Sequence, residues 1–186
     1  MVIALLTDFG DFYPGVMKGL IRKLTDAEII DITHSVSPQN VHEGAFLLYS
    51  AYRYFPSGTV FVAVVDPGVG GERRAIAVKT SGYWFVSPDN GIVYPSASED
   101  GIESVFEIKN TVSEISGSFS STFHGRDIFA PASALIYHGR IHERYFEKVE
   151  PLMDELDLFD AEISGGEIRC RILHIDRFGN AITNIK

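Results

Sequence analysis

The chain has 186 residues, 45% of them hydrophobic, which suits one ordinary domain with a real core and room for the start of a second. A formal net charge of -9 without any cluster of lysine and arginine argues against nucleic acid as a partner, because such binding rests on basic patches. The single cysteine, Cys170, excludes a disulfide framework and a cysteine-built metal site, and the opening Met-Val-Ile-Ala-Leu-Leu-Thr-Asp turns polar too early for a signal peptide or membrane span. A cytoplasmic protein is expected.

In chain order, Val2 to Leu6 reads as a buried strand, and Tyr13 to Leu24 as a helix with Val16, Leu20 and Leu24 on one face. Glu28 to Ile32 returns as a strand. Asn40 and Glu43 form a capping-box pair, after which Val41, Ala45, Leu48, Tyr52 and Phe55 recur at helical spacing until Pro56 ends the element. Strands are expected at 59–65, 75–79 and 83–87, followed by a turn at Pro88-Asp-Asn-Gly91. Between Ser96 and Ser121, rich in Ser, Glu and Gly, loops are expected around one strand, Ser104 to Ile108. A helix from about Arg126 to Tyr137 ends at Gly139. The acidic stretch that closes on Gly165 and Gly166 is the linker candidate, giving domains at 1–150 and 167–186 with a linker at 151–166. Ile168 to Ile175 then alternates as a strand, and Asp176-Arg-Phe-Gly-Asn180 turns the chain into Ile182-Thr-Asn-Ile185. This order predicts an α/β fold, a parallel sheet with helices on both faces.

Thr7, Asp8, Asp31, His34 and Asp66 each follow an apolar run, so the fold gathers them at the carboxyl edge of the sheet. Asp66 opens Asp-Pro-Gly-Val-Gly-Gly-Glu-Arg73, a glycine-rich turn carrying a carboxylate and a guanidinium, and His124 lies in a second polar cluster, Thr122-Phe-His-Gly-Arg-Asp127. Each has a plain structural reading as well: Asp66 and Arg73 pair across the turn, and His124 caps its helix. Asp8-Phe9-Gly10 copies a kinase tripeptide but lacks the glycine-rich loop and catalytic loop that a kinase needs. Gly68, Gly70 and Gly71 are spaced wrongly for a dinucleotide fingerprint. His34 and His124 with Asp8 and Asp66 are a weak alternative as a metal site, since no two lie at i, i+3 or i+4.

Taken together, Thr7-Asp-Phe-Gly10, Asp31-Ile-Thr-His34, Phe55-Pro-Ser-Gly-Thr59, Val64-Val-Asp-Pro-Gly-Val-Gly70, Pro88-Asp-Asn-Gly91, Phe123-His-Gly-Arg-Asp127, Asp176-Arg-Phe-Gly-Asn180 and Thr183-Asn-Ile185 resemble the S-adenosyl-L-methionine hydroxide adenosyltransferase family, relatives of the fluorinase and chlorinase. The resemblance implies hydrolysis of S-adenosyl-methionine to adenosine and methionine, a reaction whose neutral thioether leaving group needs no metal or redox cofactor. It also implies a C-terminal β-barrel domain, here expected only in its beginning, and a homotrimer whose sites lie between subunits. On this resemblance Asp66, Arg73 and His124 activate the water; by side-chain chemistry His124 can accept the proton, Asp66 can orient the imidazole or stabilise its cation, and Arg73 can favour hydroxide character. Asp8 matches a ribose ligand, Asp176 a contact to the methionine amino group, and Phe178 and Asn180 adenine contacts from the neighbouring subunit. Asp66 favours the hydrolase over the halogenases, since a carboxylate repels a halide. The alternative is a non-catalytic binder of adenosine or S-adenosyl-methionine.

Overall fold

In the computed structural model, which describes residues 1–117, 120, 122–150 and 154–185, the all-apolar run at the start becomes β1 (Val2–Thr7), every residue of it buried. A strand buried on both faces belongs in the middle of a parallel sheet, and β1 sits between β2 (Glu28–Thr33) and β3 (Val60–Val64), parallel to both. Helix α1 (Tyr13–Leu24) makes the crossover from β1 to β2, and α2 (Val41–Ala51) the crossover from β2 to β3. They lie on opposite faces: Met17 and Ile21 of α1 pack with Ile3, Leu5, Val62 and Val64, whereas Ala45 and Leu48 of α2 pack with Ala4, Leu6, Phe61 and Ala63. The chain therefore reverses its winding between β1 and β3, and the carboxyl ends of these two strands flank a crevice.

The sheet has seven strands in the order β2-β1-β3-β5-β4-β6-β7, with β4 at Ala75–Thr80, β5 at Trp84–Pro88, β6 at Ile102–Ile108 and β7 at Phe146–Val149. The parallel arrangement expected from the sequence holds for β2, β1, β3 and β5, and on the far side β4, β6 and β7 join by antiparallel pairing. The cause is loop length: only Ser81-Gly-Tyr83 separates β4 from β5, too short for a crossover helix.

Two local expectations need correction. The buried residues of α1 are Pro14, Met17 and Ile21, with Val16 and Leu20 flanking them half-exposed. The segment read as loops from Ser96 opens inside a helix, α3 (Tyr94–Asp100), which has Pro95 in its first turn and ends at Gly101 with φ +88°. Its short span carries no clear helical periodicity, so the punctuation at its ends was the legible signal. A single turn, α4 (Ser113–Ser116), follows β6, and α5 (Ala130–Tyr137) continues from a π turn at Gly125–Phe129 and stops before Gly139 at φ +67°.

Beyond the sheet, Asp154 N–H donates to Asp89 Oδ1 (2.9 Å), and Leu156 and Leu158 enter the core on the α2 face. Gly165 and Gly166, both with positive φ, form the two-residue turn of a hairpin between β8 (Glu162–Ser164) and β9 (Glu167–Arg169). The single strand expected over Ile168 to Ile175 is divided here, because β10 (Ile172–Ile175) pairs instead with β11 (Ala181–Thr183). Leu173 of β10 is buried against the α2 face, and His174 Nδ1 lies 2.7 Å from Glu43 Oε1. Residues 151–153 of the linker candidate lie outside the described residues.

Gly91 marks the tightest junction with this C-terminal segment. Its φ is +87°, and a Cβ there would stand 2.8 Å from Leu156 Cβ. Gly139 has a similar φ of +67° but open space around it. Replacing Gly139 with Ala is expected to cost about 1 kcal/mol of stability from backbone strain, and Gly91→Ala about 2–3 kcal/mol because overpacking adds to it. Urea unfolding of the two variants checks the order.

Candidate active site

The crevice between β1 and β3 holds most of the residues singled out in the sequence. A cavity of about 460 Å³ is lined there by Asp8, Phe9, Tyr13, Gln39, Asp66, Phe123 and His124, among others. Asp8 follows β1, Asp66 follows β3, and the two strands are in register with Thr7 opposite Val64, so their carboxylates arrive at one edge. His124 reaches the same place from the start of the π turn that leads into α5, and is 8% exposed. A π turn widens a helix by one residue and re-aims the side chains at its start, a feature frequent at functional sites.

Asp66, Arg73 and His124 form one bonded unit. Arg73 Nε donates to both Asp66 oxygens (3.0 and 3.1 Å), Arg73 Nη2 donates to Asp66 Oδ2, and the same Nη2 lies 2.8 Å from His124 Nδ1. The Asp66 side chain is only 4% exposed and that of Arg73 13%, so the pair is largely desolvated and each charge depends on the other. A guanidinium has no acceptor, so His124 Nδ1 must accept this bond and the neutral imidazole carries its proton on Nε2. Burial pulls the His124 pKa below the usual histidine value, and the adjacent Arg73 charge lowers it further. Both effects favour the neutral imidazole over its cation.

Neighbouring backbone holds the unit in place. Asn90, in the Pro88-Asp-Asn-Gly turn, donates from Nδ2 to Val65 O at 2.8 Å and so fixes the carbonyl just before Asp66. Gly125 admits Phe9, whose Cε2 would be 2.8 Å from an added Cβ. Gln39 N–H donates to Asp8 Oδ2 at 2.8 Å from a backbone with φ +63°, a conformation a non-glycine residue adopts rarely. Asp8 Oδ1 has no protein partner among the described residues, which leaves it available to a hydroxyl. Phe9 and Tyr13 meet the Phe123 ring edge to face, with centroids 6.0 and 5.1 Å away, and make an apolar wall beside the carboxylates. Phe9, Tyr13, Gln39 and Gly125 were not singled out as site residues in the sequence. Phe9 and Gly125 had a readable signal there, adjacency to Asp8 and to His124.

The remaining candidates lie elsewhere. Asp176, Phe178 and Asn180 form the turn between β10 and β11, where Asp176 Oδ1 accepts from Phe178 N–H (2.8 Å) and Asn180 N–H (2.9 Å). Asn180 Nδ2 donates to Asp176 Oδ2 at 2.7 Å, and this bond is the main cause of a lowered Asp176 pKa. The turn is exposed, Phe178 by 84%, and lines no part of the crevice cavity within the chain. His34 bonds Thr7 Oγ1 through Nδ1 at 2.9 Å and approaches Asp31 through Nε2 at 3.1 Å. Among the described residues, no group of three or more His, Cys, Asp or Glu side chains is arranged to hold a metal ion, and no helix is long and apolar enough to cross a membrane.

A doubly wound sheet with a buried carboxylate, guanidinium and imidazole at its switch point, facing a cavity of small-metabolite size, defines an α/β enzyme acting on a small molecule. The chain belongs to the SAM hydroxide adenosyltransferase family: the model of that family's N-terminal domain matches residues 3–145. An (R)-S-adenosyl-L-methionine hydrolase from Methanocaldococcus jannaschii is 43% identical over an alignment covering 100% of this chain and 67% of the relative. A fluorinase from an Actinoplanes species is 28% identical, covering 99% of this chain and 71% of the relative. A crystal structure of an uncharacterized conserved protein from Thermotoga maritima superposes with a TM-score of 0.87 at 40% identity, covering 99% of this chain and 71% of that one.

The tautomer has a consequence for pH. Protonating His124 would place a cation against Arg73 and break the Nδ1 bond. Because its folded pKa is depressed, the site should keep its arrangement as pH falls through about 6.5, the usual histidine value, and lose it only in more acid solution. The pH profile of kcat is therefore expected to show its acid limb below that value. An acid limb centred at or above it would contradict the neutral, Arg73-bonded histidine.

Proposed function

We propose that the chain hydrolyses S-adenosyl-L-methionine to adenosine and L-methionine by attack of water on C5′, with Asp66 as the proton acceptor. The observation that carries the mechanism is the Asp66–Arg73–His124 unit in the wall of the crevice. At C5′ the leaving group is a neutral thioether departing from a sulfonium, so no general acid is needed. The poor partner is water. Attack makes its oxygen strongly acidic as the C5′–O bond forms, and a carboxylate is base enough to take the proton at that stage. His124 has its Nδ1 lone pair bonded to Arg73, so we assign it the task of holding the guanidinium and presenting an N–H, and we move the proton-accepting task expected of it to Asp66. Orientation supplies the larger share: a bound near-attack geometry is worth up to about 7–11 kcal/mol.

Asp8 is assigned to the ribose hydroxyls, which suits its free oxygen at the rim of the cavity. Hydrolase relatives at 36–43% identity and fluorinases at 26–28% place the chain nearer the hydrolases, in line with a carboxylate where a halide would have to sit. We further infer a cytoplasmic homotrimer in which residues 167–186 belong to a second domain after a linker at 151–166. The exposed Asp176–Asn180 turn, remote from its own crevice cavity, suits contacts to a ligand in the neighbouring subunit.

Incubation with S-adenosyl-methionine in ¹⁸O-labelled water, with chelator present, tests the reading. Adenosine carrying the label at its 5′-hydroxyl and unlabelled methionine are expected, at a rate the chelator leaves unchanged. Unlabelled adenosine, or methylthioadenosine as the main product, would contradict it. Sedimentation of the same preparation is expected to give a trimer, and a fully active monomer would remove the shared-site assignment.

A further inference from the structure

Asp31 and His34 have no task in the reaction described above, although His34 bonds the turn that carries Asp8. The pairing of β1 with β2 skips one residue here: Leu5 lies opposite Asp31, and Leu6 opposite Thr33. Residues three apart in an unbroken strand point to opposite faces, and an extra residue reverses that parity. Asp31 and His34 therefore meet. His34 Nε2 stands 3.1 Å from Asp31 Oδ1, while Lys18 Nζ donates to Asp31 Oδ2 at 2.8 Å.

A carboxylate only accepts, so Nε2 carries the proton and the neutral imidazole accepts at Nδ1. Its donor is the Thr7 hydroxyl, 2.9 Å away. Thr7 is fully buried, which denies its hydroxyl a solvent partner and leaves the imidazole to fix its direction. The same hydroxyl oxygen accepts at 3.3 Å from Phe9 N–H, the amide of the peptide group that follows Asp8. Holding that peptide plane holds the backbone from which the Asp8 carboxylate projects. The His34 carbonyl secures the far end of the turn, accepting from Gly10 N–H at 2.9 Å.

We propose that His34, itself held by Asp31, is a positioning residue for ribose recognition: through the Thr7 hydroxyl it sets the turn that aims Asp8 at the sugar. This role rests on the assignment of Asp8 to the ribose hydroxyls.

Calorimetry with adenosine and with 2′,3′-dideoxyadenosine separates the role from plain stability, since only adenosine offers those hydroxyls to Asp8. Wild-type protein is expected to bind adenosine at least about tenfold more tightly, and Asp8→Ala to lose the preference. Thr7→Val, which keeps the side-chain shape, and His34→Leu are each expected to bring the two affinities within about threefold of each other, with dideoxyadenosine affinity within about threefold of wild type. His34→Asn, whose Oδ1 can stand where Nδ1 does, is expected to keep the preference. Should His34→Leu fail to fold, Thr7→Val decides. An unchanged preference in folded Thr7→Val would overturn the positioning role, and so would an equal loss of both ligands, which marks general damage to the site. Wild-type protein without the preference, or Asp8→Ala that retains it, would overturn the ribose assignment and the positioning role with it.

Discussion

One guanidinium holds the site together. Arg73 spans the Asp66 carboxylate and the His124 imidazole, and so joins the loop after β3 to the helical segment of α5. Removing it would leave a nearly buried carboxylate without its counter-charge, a loss of about 3–5 kcal/mol for a broken buried pair. The same bond occupies the Nδ1 lone pair of His124, which is the ground for the proposed assignment of the proton to Asp66. Position and ionisation thus depend on a single contact, made possible because β3 and α5 belong to one tightly packed core.

That contact needs the sheet to be wound as it is. With α1 and α2 on opposite faces, the carboxyl ends of β1 and β3 flank a crevice that can take a ligand. Glu43 ties the crevice to the C-terminal hairpins. The capping-box pattern is half realised: Asn40 Oδ1 accepts from Glu43 N–H at 3.1 Å, but the Glu43 carboxylate accepts from Ser37 N–H at 2.8 Å and meets His174 of β10 instead of returning to Asn40. One buried side chain therefore anchors both the loop that carries Gln39 and the hairpin that carries Asp176, Phe178 and Asn180.

Much of this was legible in the sequence, for reasons that particular residues make clear. A short, β-branched apolar run such as Val60–Val64 reads as a buried strand, and Asp or Thr just beyond such a run then stands at the sheet edge, which located Asp8 and Asp66. Helix α3 was hidden because seven residues hold too few turns for a periodicity, and the antiparallel β4–β5 pair depends on a short loop whose effect on direction is geometric. The partner of Arg73 was half visible: pairing with Asp66 across the turn followed from spacing, whereas its bond to His124 spans 51 residues and exists only in the folded chain. For the same reason the role of His124 could not be read from its identity. A histidine beside a reactive water suggests a base, and only the neighbour on Nδ1, seen in the folded chain, favours the other assignment.

The assignment of the proton to Asp66 is the center of the account, and one comparison of single-turnover rates tests it directly. Asp66→Asn keeps the shape of the side chain and removes its basicity, whereas His124→Gln keeps an amide able both to accept from Arg73 and to donate. A loss of at least about a hundredfold is expected for Asp66→Asn, and a rate within about tenfold of wild type for His124→Gln. The opposite order, with the glutamine variant dead and the asparagine variant active, would return the proton to the histidine and contradict the mechanism.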